Sequence, residues 1–144
     1  TGSRTFEAAA FLRWAGADTA EVKKLFQNDL EGTIAKYAII QNAKLYREKI
    51  AIAVVDHTVG RIVAAQAADE LLNIIGIDTS FVLYPDGERV IISARSMGDT
   101  NVQVILEKLG GGGNAAAAGG QISGKSLSQV ATELTQAIDQ YLEG

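Results

Sequence analysis

The residues best suited to chemistry lie between positions 93 and 124, in SARSMGDTNVQVILEKLGGGGNAAAAGGQISG. Consecutive glycines let backbone N–H groups approach an anion with no Cβ in the way, and such a run can form a concave nest of donors. Ala115 to Ala118 would keep the facing wall low. Glycine alone is equally compatible with a tight structural crossover. A slack linker fits poorly, because the tract sits between a helix-like and a strand-like run and so little chain follows it. Just upstream, Ser93 and Arg95 fall on one face of a strand by period-two alternation, and Ser96 opens the next turn. An Arg at a strand end beside a glycine nest suits bidentate phosphate binding, since its planar fork matches two phosphate oxygens. Asn101 and Asn114 each donate and accept, as recognition of a ribose or base edge requires. Taken alone, Arg95 reads as a surface ion-pair partner; beside the glycine tract, the phosphate reading is favoured.

Composition limits what this chemistry can serve. The chain has 144 residues and is 47% apolar, enough for one domain with a real core and part of a neighbour. A net charge of −4 argues against a partner such as long nucleic acid, which needs a field of Lys and Arg. Phosphate recognition should therefore be local. With no cysteine there is no disulfide or thiolate metal site, which suits a reducing cytoplasm. No apolar run approaches the roughly 20 residues that span a bilayer, so this segment is expected to make no direct membrane contact. TGSRTF, without an initiator Met, reads as the interior of a longer protein.

The positioning elements follow from hydrophobic spacing. Residues 3 to 14 read as a helix carrying Phe6, Ala9, Ala10 and Arg13, with Ser3 as N-cap, and Asp18 or Thr19 caps a second short helix. Residues 29 to 46 read as a longer helix with Leu30, Ile34, Tyr37, Ala38 and Leu45 near one face. KIAIAVVD is a buried strand, IVAAQAADELLNIIGI a helix stopped at Gly76, and TSFVLYPDGERVIISARS two strands around a turn in which Pro85 fixes φ and Gly87 admits a positive φ. DTNVQVILEKLG is an amphipathic helix, GQISG a short strand, and Ser126 or Ser128 caps a final helix with Val130, Leu134, Ile138, Tyr141 and Leu142. The expected fold class is α/β: a small mixed sheet flanked by helices over residues 47–144, preceded by an all-helical segment over 1–46.

Three blocks carry a resemblance to a known family. ISARS, NVQ and LGGGGN followed by AAAAGG are similar to the DHH-associated domain of the DHH phosphoesterase superfamily, whose signature is a glycine run, then His, two free positions and Ala-Ala-Gly. More narrowly, TGSRTFEAAAFLRWAGAD, AQAADELLNIIGI and SARSMGDTNVQVILEKLGGGG resemble the C-terminal part of GdpP-type cyclic-di-AMP phosphodiesterases. The resemblance implies a two-lobed hydrolase in which a DHH lobe holds two divalent metals, usually manganese, and the associated lobe presents a cyclic or linear dinucleotide across a cleft. Two metals polarise phosphoryl oxygens and supply a hydroxide for in-line attack. Carried onto this sequence, Arg95, Gly111, Gly112, Gly113 and Gly119 would cradle a phosphate and the nearby ribose, with Asn114, Ser93, Ser96 and Asn101 beside them.

Two departures bear on activity. Asn114 stands where the family has His; it can hydrogen-bond a phosphate but neither carries charge nor passes a proton near neutral pH. The DHH motifs lie upstream of TGSRTF in the family, and nothing here replaces them. Asp56-His57 is a partial echo in the wrong place, holds the only His, and reads as a polar strand end, because a metal needs several convergent ligands. The chain is therefore expected to bind no cofactor and to lack turnover alone. Residues 1–46 become the tail of the DHH lobe and a connector, with Phe11, Trp14 or Phe26 packing on the missing lobe or, without it, promoting a homodimer. The parent could be membrane-anchored through upstream regions. The competing reading is a non-catalytic RNA-binding or assembly module, since DHH-associated domains also resemble the C-terminal parts of alanyl-tRNA synthetases; the acidic balance disfavours it.

Overall fold

A computed structural model describes residues 19–144, with side chains from residue 29 onward. The expected helix over 3 to 14, its Ser3 cap, and the side chains of Phe11, Trp14 and Phe26 lie outside the described residues. In chain order the elements are α1 (Thr19–Gln41), β1 (Ala43–Tyr46), β2 (Ile50–Val54), α2 (Arg61–Leu71), β3 (Thr79–Asp86), β4 (Arg89–Ser96), α3 (Val102–Glu107), β5 (Gly112–Gly113), β6 (Ala117–Ser123) and α4 (Leu127–Glu143). One six-stranded mixed sheet has the order β1-β2-β3-β4-β6-β5, with only β2 and β3 parallel.

Parallel strands need a crossover, and α2 supplies it. Running back from the end of β2 to the start of β3, α2 is antiparallel to both and points the same way as β4. The Ser80 hydroxyl donates to the Ala68 carbonyl at 2.6 Å and ties the end of α2 to the start of β3. Strand residues alternate between two cores. Ile50, Phe81, Leu83, Val90, Ile92, Ala94 and Ala118 face α3 and α4. On the other face Ala51, Ala53, Val82, Tyr84 and Ile91 meet Ile39 of α1 and Ala64, Ala67, Ala68 and Leu71 of α2. Alanine on both sides of that contact lets α2 lie close to the sheet.

Four local expectations are corrected. The second short helix and the longer one are a single helix, α1, which stops at Gln41; residues 43–46 are the edge strand β1, so the helical reading ran too far. The stripe Leu30, Ile34 and Tyr37 is exposed at 57%, 61% and 44%, while Ile39, with Ile40 beside it and Lys36 buried one turn before, faces the core. Pro85 lies inside β3, opposite Val90, rather than in the turn. It is tolerated because β2 has already ended, at Val54 opposite Leu83, so no neighbour on that side needs its N–H. The turn itself is Gly87-Glu88, with Gly87 at φ +63. Last, α2 ends at Leu71, and Gly76 (φ +93) reverses the chain after a further irregular turn.

Candidate functional site

α2 covers the sheet only as far as β4, and beyond it β6 and β5 lie open on the same face. The step leaves a trough of about 500 Å³ between the helix and the bare strands. Its floor is set by register. Ser93 pairs with Gly119, and Gly119 with Gly112, so one row across three strands carries a hydroxymethyl and two hydrogens. One row towards the end of β4 stands Arg95; one row towards its start stand Ile91 and Gln121. The wall is the α2 stripe Arg61, Ala65 and Asp69, spaced by four so that all three lie on one side of the helix.

Arg95 is held before any ligand arrives. Its Nε donates to Asp69 Oδ1 at 3.1 Å and its Nη1 to the Ala94 carbonyl at 2.8 Å, which fixes the plane of the guanidinium at the trough. No described acceptor engages Nη2. At the opposite end Arg61 lies against the Tyr84 hydroxyl; burial raises the pKa of that hydroxyl, and the neighbouring guanidinium acts against the rise. Arg89 donates to Gln121 Oε1 at 2.7 Å and steadies the amide on the rim.

The glycine tract does not form the expected nest of donors. The Gly111 N–H goes to the Leu106 carbonyl at 2.8 Å, finishing α3 after Gly110 at φ +85, and the Asn114 N–H goes to the Ala117 carbonyl at 2.8 Å. Gly112 and Gly113 instead form β5 on the edge of β6. A Cβ on Gly111 would collide with the Gly119 carbonyl, and one on Gly113 with the Ala117 carbonyl and Ala118, so these two glycines serve close approach of backbone to backbone. Gly112 is different. Its φ is not positive and nothing lies within 4 Å of the Cβ position, which opens on the trough.

Of the residues singled out in the sequence, Ser93, Arg95, Gly112 and Gly119 line this trough together. Gly111, Gly113 and Asn114 belong to the hairpin that forms its far edge. The Asn114 Oδ1 accepts from the N–H groups of Ala116 and Ala117 at 3.0 and 2.9 Å, closing the hairpin turn. The Asn101 Oδ1 accepts from Gln103 and Val104 and caps α3, while Ser96 is buried and its Oγ faces the Gly98 N–H. Arg61, Ile62, Ala65 and Gln121 escaped the sequence reading. One signal for Arg61 was available: a cation at the first residue of a helix opposes the macrodipole, and no acidic residue balances it in that turn. His57 and Asp56 are exposed neighbours at 3.1 Å. Among the described residues no group of three or more His, Asp or Glu could hold a metal ion, so this part of the chain does not fit the two-metal centre implied by the resemblance.

Comparison with known proteins places the trough in context. Residues 47–144 match the family model of the DHHA1 domain. The whole chain is 44% identical, over 149 aligned positions, to 23% of the cyclic-di-AMP phosphodiesterase GdpP of Bacillus subtilis (strain 168). It is 41% identical, over 147 positions, to 22% of the cyclic-di-AMP phosphodiesterase PdeA of Listeria monocytogenes serotype 1/2a (strain 10403S). The chain thus spans less than a quarter of the length of these relatives. Among solved structures, an exopolyphosphatase-related protein from Bacteroides fragilis superposes with a TM-score of 0.69 at 20% identity, over 96% of this chain and 43% of that one. The C-Ala domain of Aquifex aeolicus alanyl-tRNA synthetase gives 0.57 at 17% identity, over 71% of this chain and 98% of that one. RecJ from Thermus thermophilus in complex with Mn2+ gives 0.59 at 14% identity, over 83% of this chain and 19% of that one. At such identities the structural likenesses establish a shared fold and nothing further.

Proposed function

The chain belongs to the DHHA1 domain family, and from that premise we propose that its trough is the substrate-binding face of a metal-dependent phosphodiesterase that hydrolyses cyclic di-AMP to linear pApA, or short oligonucleotides. The observation that carries this reading is the bare row Ser93–Gly119–Gly112 beside a pre-oriented Arg95. At Gly112 neither backbone geometry nor a neighbour calls for glycine, and room for a ligand does. Arg95 then grips the non-scissile phosphate through Nη2, Ser93 and the rim amide of Gln121 address the sugar, and the floor lets the nucleotide lie against the backbone. Identity of 41–44% along the whole chain to proteins named cyclic-di-AMP phosphodiesterases supports the same substrate class.

In this reading the two divalent metals, manganese by preference, sit in an upstream DHH lobe that closes over the trough. No step of the chemistry runs through the residues described. Among them no helix is long and apolar enough to cross a membrane; the domain is proposed to act in the cytoplasm, with any membrane anchor upstream. The RNA-binding alternative shares the fold of the C-Ala domain, yet the net charge of −4 gives no broad cationic surface for a polyanion.

Calorimetric titration of the chain with cyclic di-AMP, linear pApA and a structured RNA tests the proposal. Nucleotide binding should dominate, and Arg95→Ala should weaken it by about 1.5–3 kcal/mol, the scale of a lost charge-assisted hydrogen bond, while the thermal midpoint stays nearly constant. Tight binding of RNA alone would overturn the assignment, and unchanged nucleotide affinity would remove Arg95 from the site.

A further inference from the structure

We propose that Arg61 is a second anion-binding residue at the far end of the trough, and that it makes the site selective for ligands whose two phosphates are separated by a nucleoside. This inference rests on the nucleotide-binding reading above. Because α2 runs parallel to β4, its stripe places Asp69 beside Arg95 and Arg61 beside the start of β4, where Tyr84 pairs with Ile91. Eight residues of helix separate Arg61 from Asp69, about 12 Å of rise. Four residues of strand separate Ile91 from Arg95, about 13 Å. Both routes put the two guanidiniums at opposite ends of one trough, and both residues line it.

The charge of Arg61 is not neutralised by a described neighbour. Among the described residues no carboxylate lies within ion-pair distance of it, whereas Arg89 faces Asp86 and Arg95 is held by Asp69. Its position at the start of α2, unbalanced by any acid in the first turn, is unfavourable for the helix, and the partner it has among the described residues is the neutral Tyr84 hydroxyl. Such local conflicts are expected where function demands them. Between the two cations the floor carries the bare row Ser93–Gly119–Gly112, with Ile91 and Gln121 towards the Arg61 end, and Ala65 keeps the wall low. Adjacent phosphates of a nucleoside diphosphate cannot reach both ends. A 5′-phosphate and an internucleotide phosphate, with a ribose between them, can.

The test titrates the full 144-residue chain with pApA, AMP and ADP, in wild type and in Arg61→Gln, Arg61→Lys and Arg95→Gln. Arg61 is exposed, so its variants should keep the wild-type thermal midpoint. Arg61→Gln should weaken pApA about tenfold, the effect of losing one exposed charge-assisted contact, and change AMP and ADP by less than about twofold. Arg61→Lys should recover part of the loss. Arg95→Gln should weaken all three probes. If Arg61→Gln leaves pApA unchanged, or weakens AMP and ADP equally, Arg61 is no second subsite, although the nucleotide reading survives. If wild type binds none of the three, both the inference and the nucleotide reading fail.

Discussion

Gly112 and Gly113 are neighbours with opposite reasons for lacking a side chain. Gly113 has φ +147, and a Cβ there would meet the backbone of Ala117 and Ala118. Gly112 meets nothing. Gly113→Ala should therefore cost about 1–3 kcal/mol through strain, seen as a lower thermal midpoint. Gly112→Ala should leave that midpoint in place and weaken nucleotide binding, because its methyl group enters the trough. Equal affinity for Gly112→Ala and wild type would mean the floor is not a contact surface. Sequence could not separate the two glycines, since identical residues in a run differ only in what the fold brings opposite them. The place of Arg95 on the Ser93 face of β4 was legible from strand alternation, whereas its ion pair with Asp69 depends on where α2 packs. Asn101 and Asn114 looked equally suited to a ligand, yet their carbonyl oxygens are occupied by backbone N–H groups nearby, as short amide side chains readily are.

Among the elements, the β1–β2 connection shows how a locally unfavourable turn is held. Arg47 and Glu48 both adopt positive φ, at 52° and 71°, where residues with a Cβ are strained and Asn-Gly is the preferred pair. The turn is tied to the end of α4. Arg47 reaches Asp139 at 3.0 Å and Glu143 at 2.9 Å, and the Tyr46 hydroxyl donates to Asp139 at 2.7 Å. The bond to Asp139, and then burial, raises the pKa of Tyr46, and the bond to Glu143 raises that of Arg47. Exposed pairs contribute little individually, so the strain should remain measurable. Glu48→Gly, which keeps Arg47 and its partners, should raise the stability measured by urea unfolding by about 0.5–1 kcal/mol net. A lowered stability would show that Glu48 is not strained as its backbone angles indicate. Periodicity located β2, β3, β4, α2 and α4 because each has a clear face or a buried run. It failed at residues 43–46, where four residues are too few to declare a period, and at Leu30, Ile34 and Tyr37, where an apolar stripe exists but the described chain packs the other side of α1.

At the scale of the molecule, the trough is the part of the proposed site that this chain supplies. One wall is α2, the floor is β4, β6 and β5, and the remaining side opens outward. The pairing that builds the floor joins residues 93, 119 and 112, and the wall comes from 61 to 69, so no single stretch of sequence contains the trough. That is why the glycine tract and Arg95 could be singled out together while Arg61 and Gln121 could not: the former sit in one segment, and the latter join them in the trough only through the crossover and the strand register. The same geometry separates binding from turnover. Hydrolysis of a phosphodiester at neutral pH needs an activated water and charge neutralisation on the phosphoryl oxygens, which metals provide only when several ligands converge. The described residues offer no such convergence, and the lone His57 has one carboxylate beside it at an exposed strand end. Incubating the chain with pApA or cyclic di-AMP and excess Mn2+ should therefore release no product detectable by ion-exchange chromatography, even where calorimetry shows the dinucleotide bound. Product formation that persists after purification under a second, independent scheme, and that disappears in His57→Ala, would place catalytic machinery in this chain and require the division of labour between the two lobes to be redrawn.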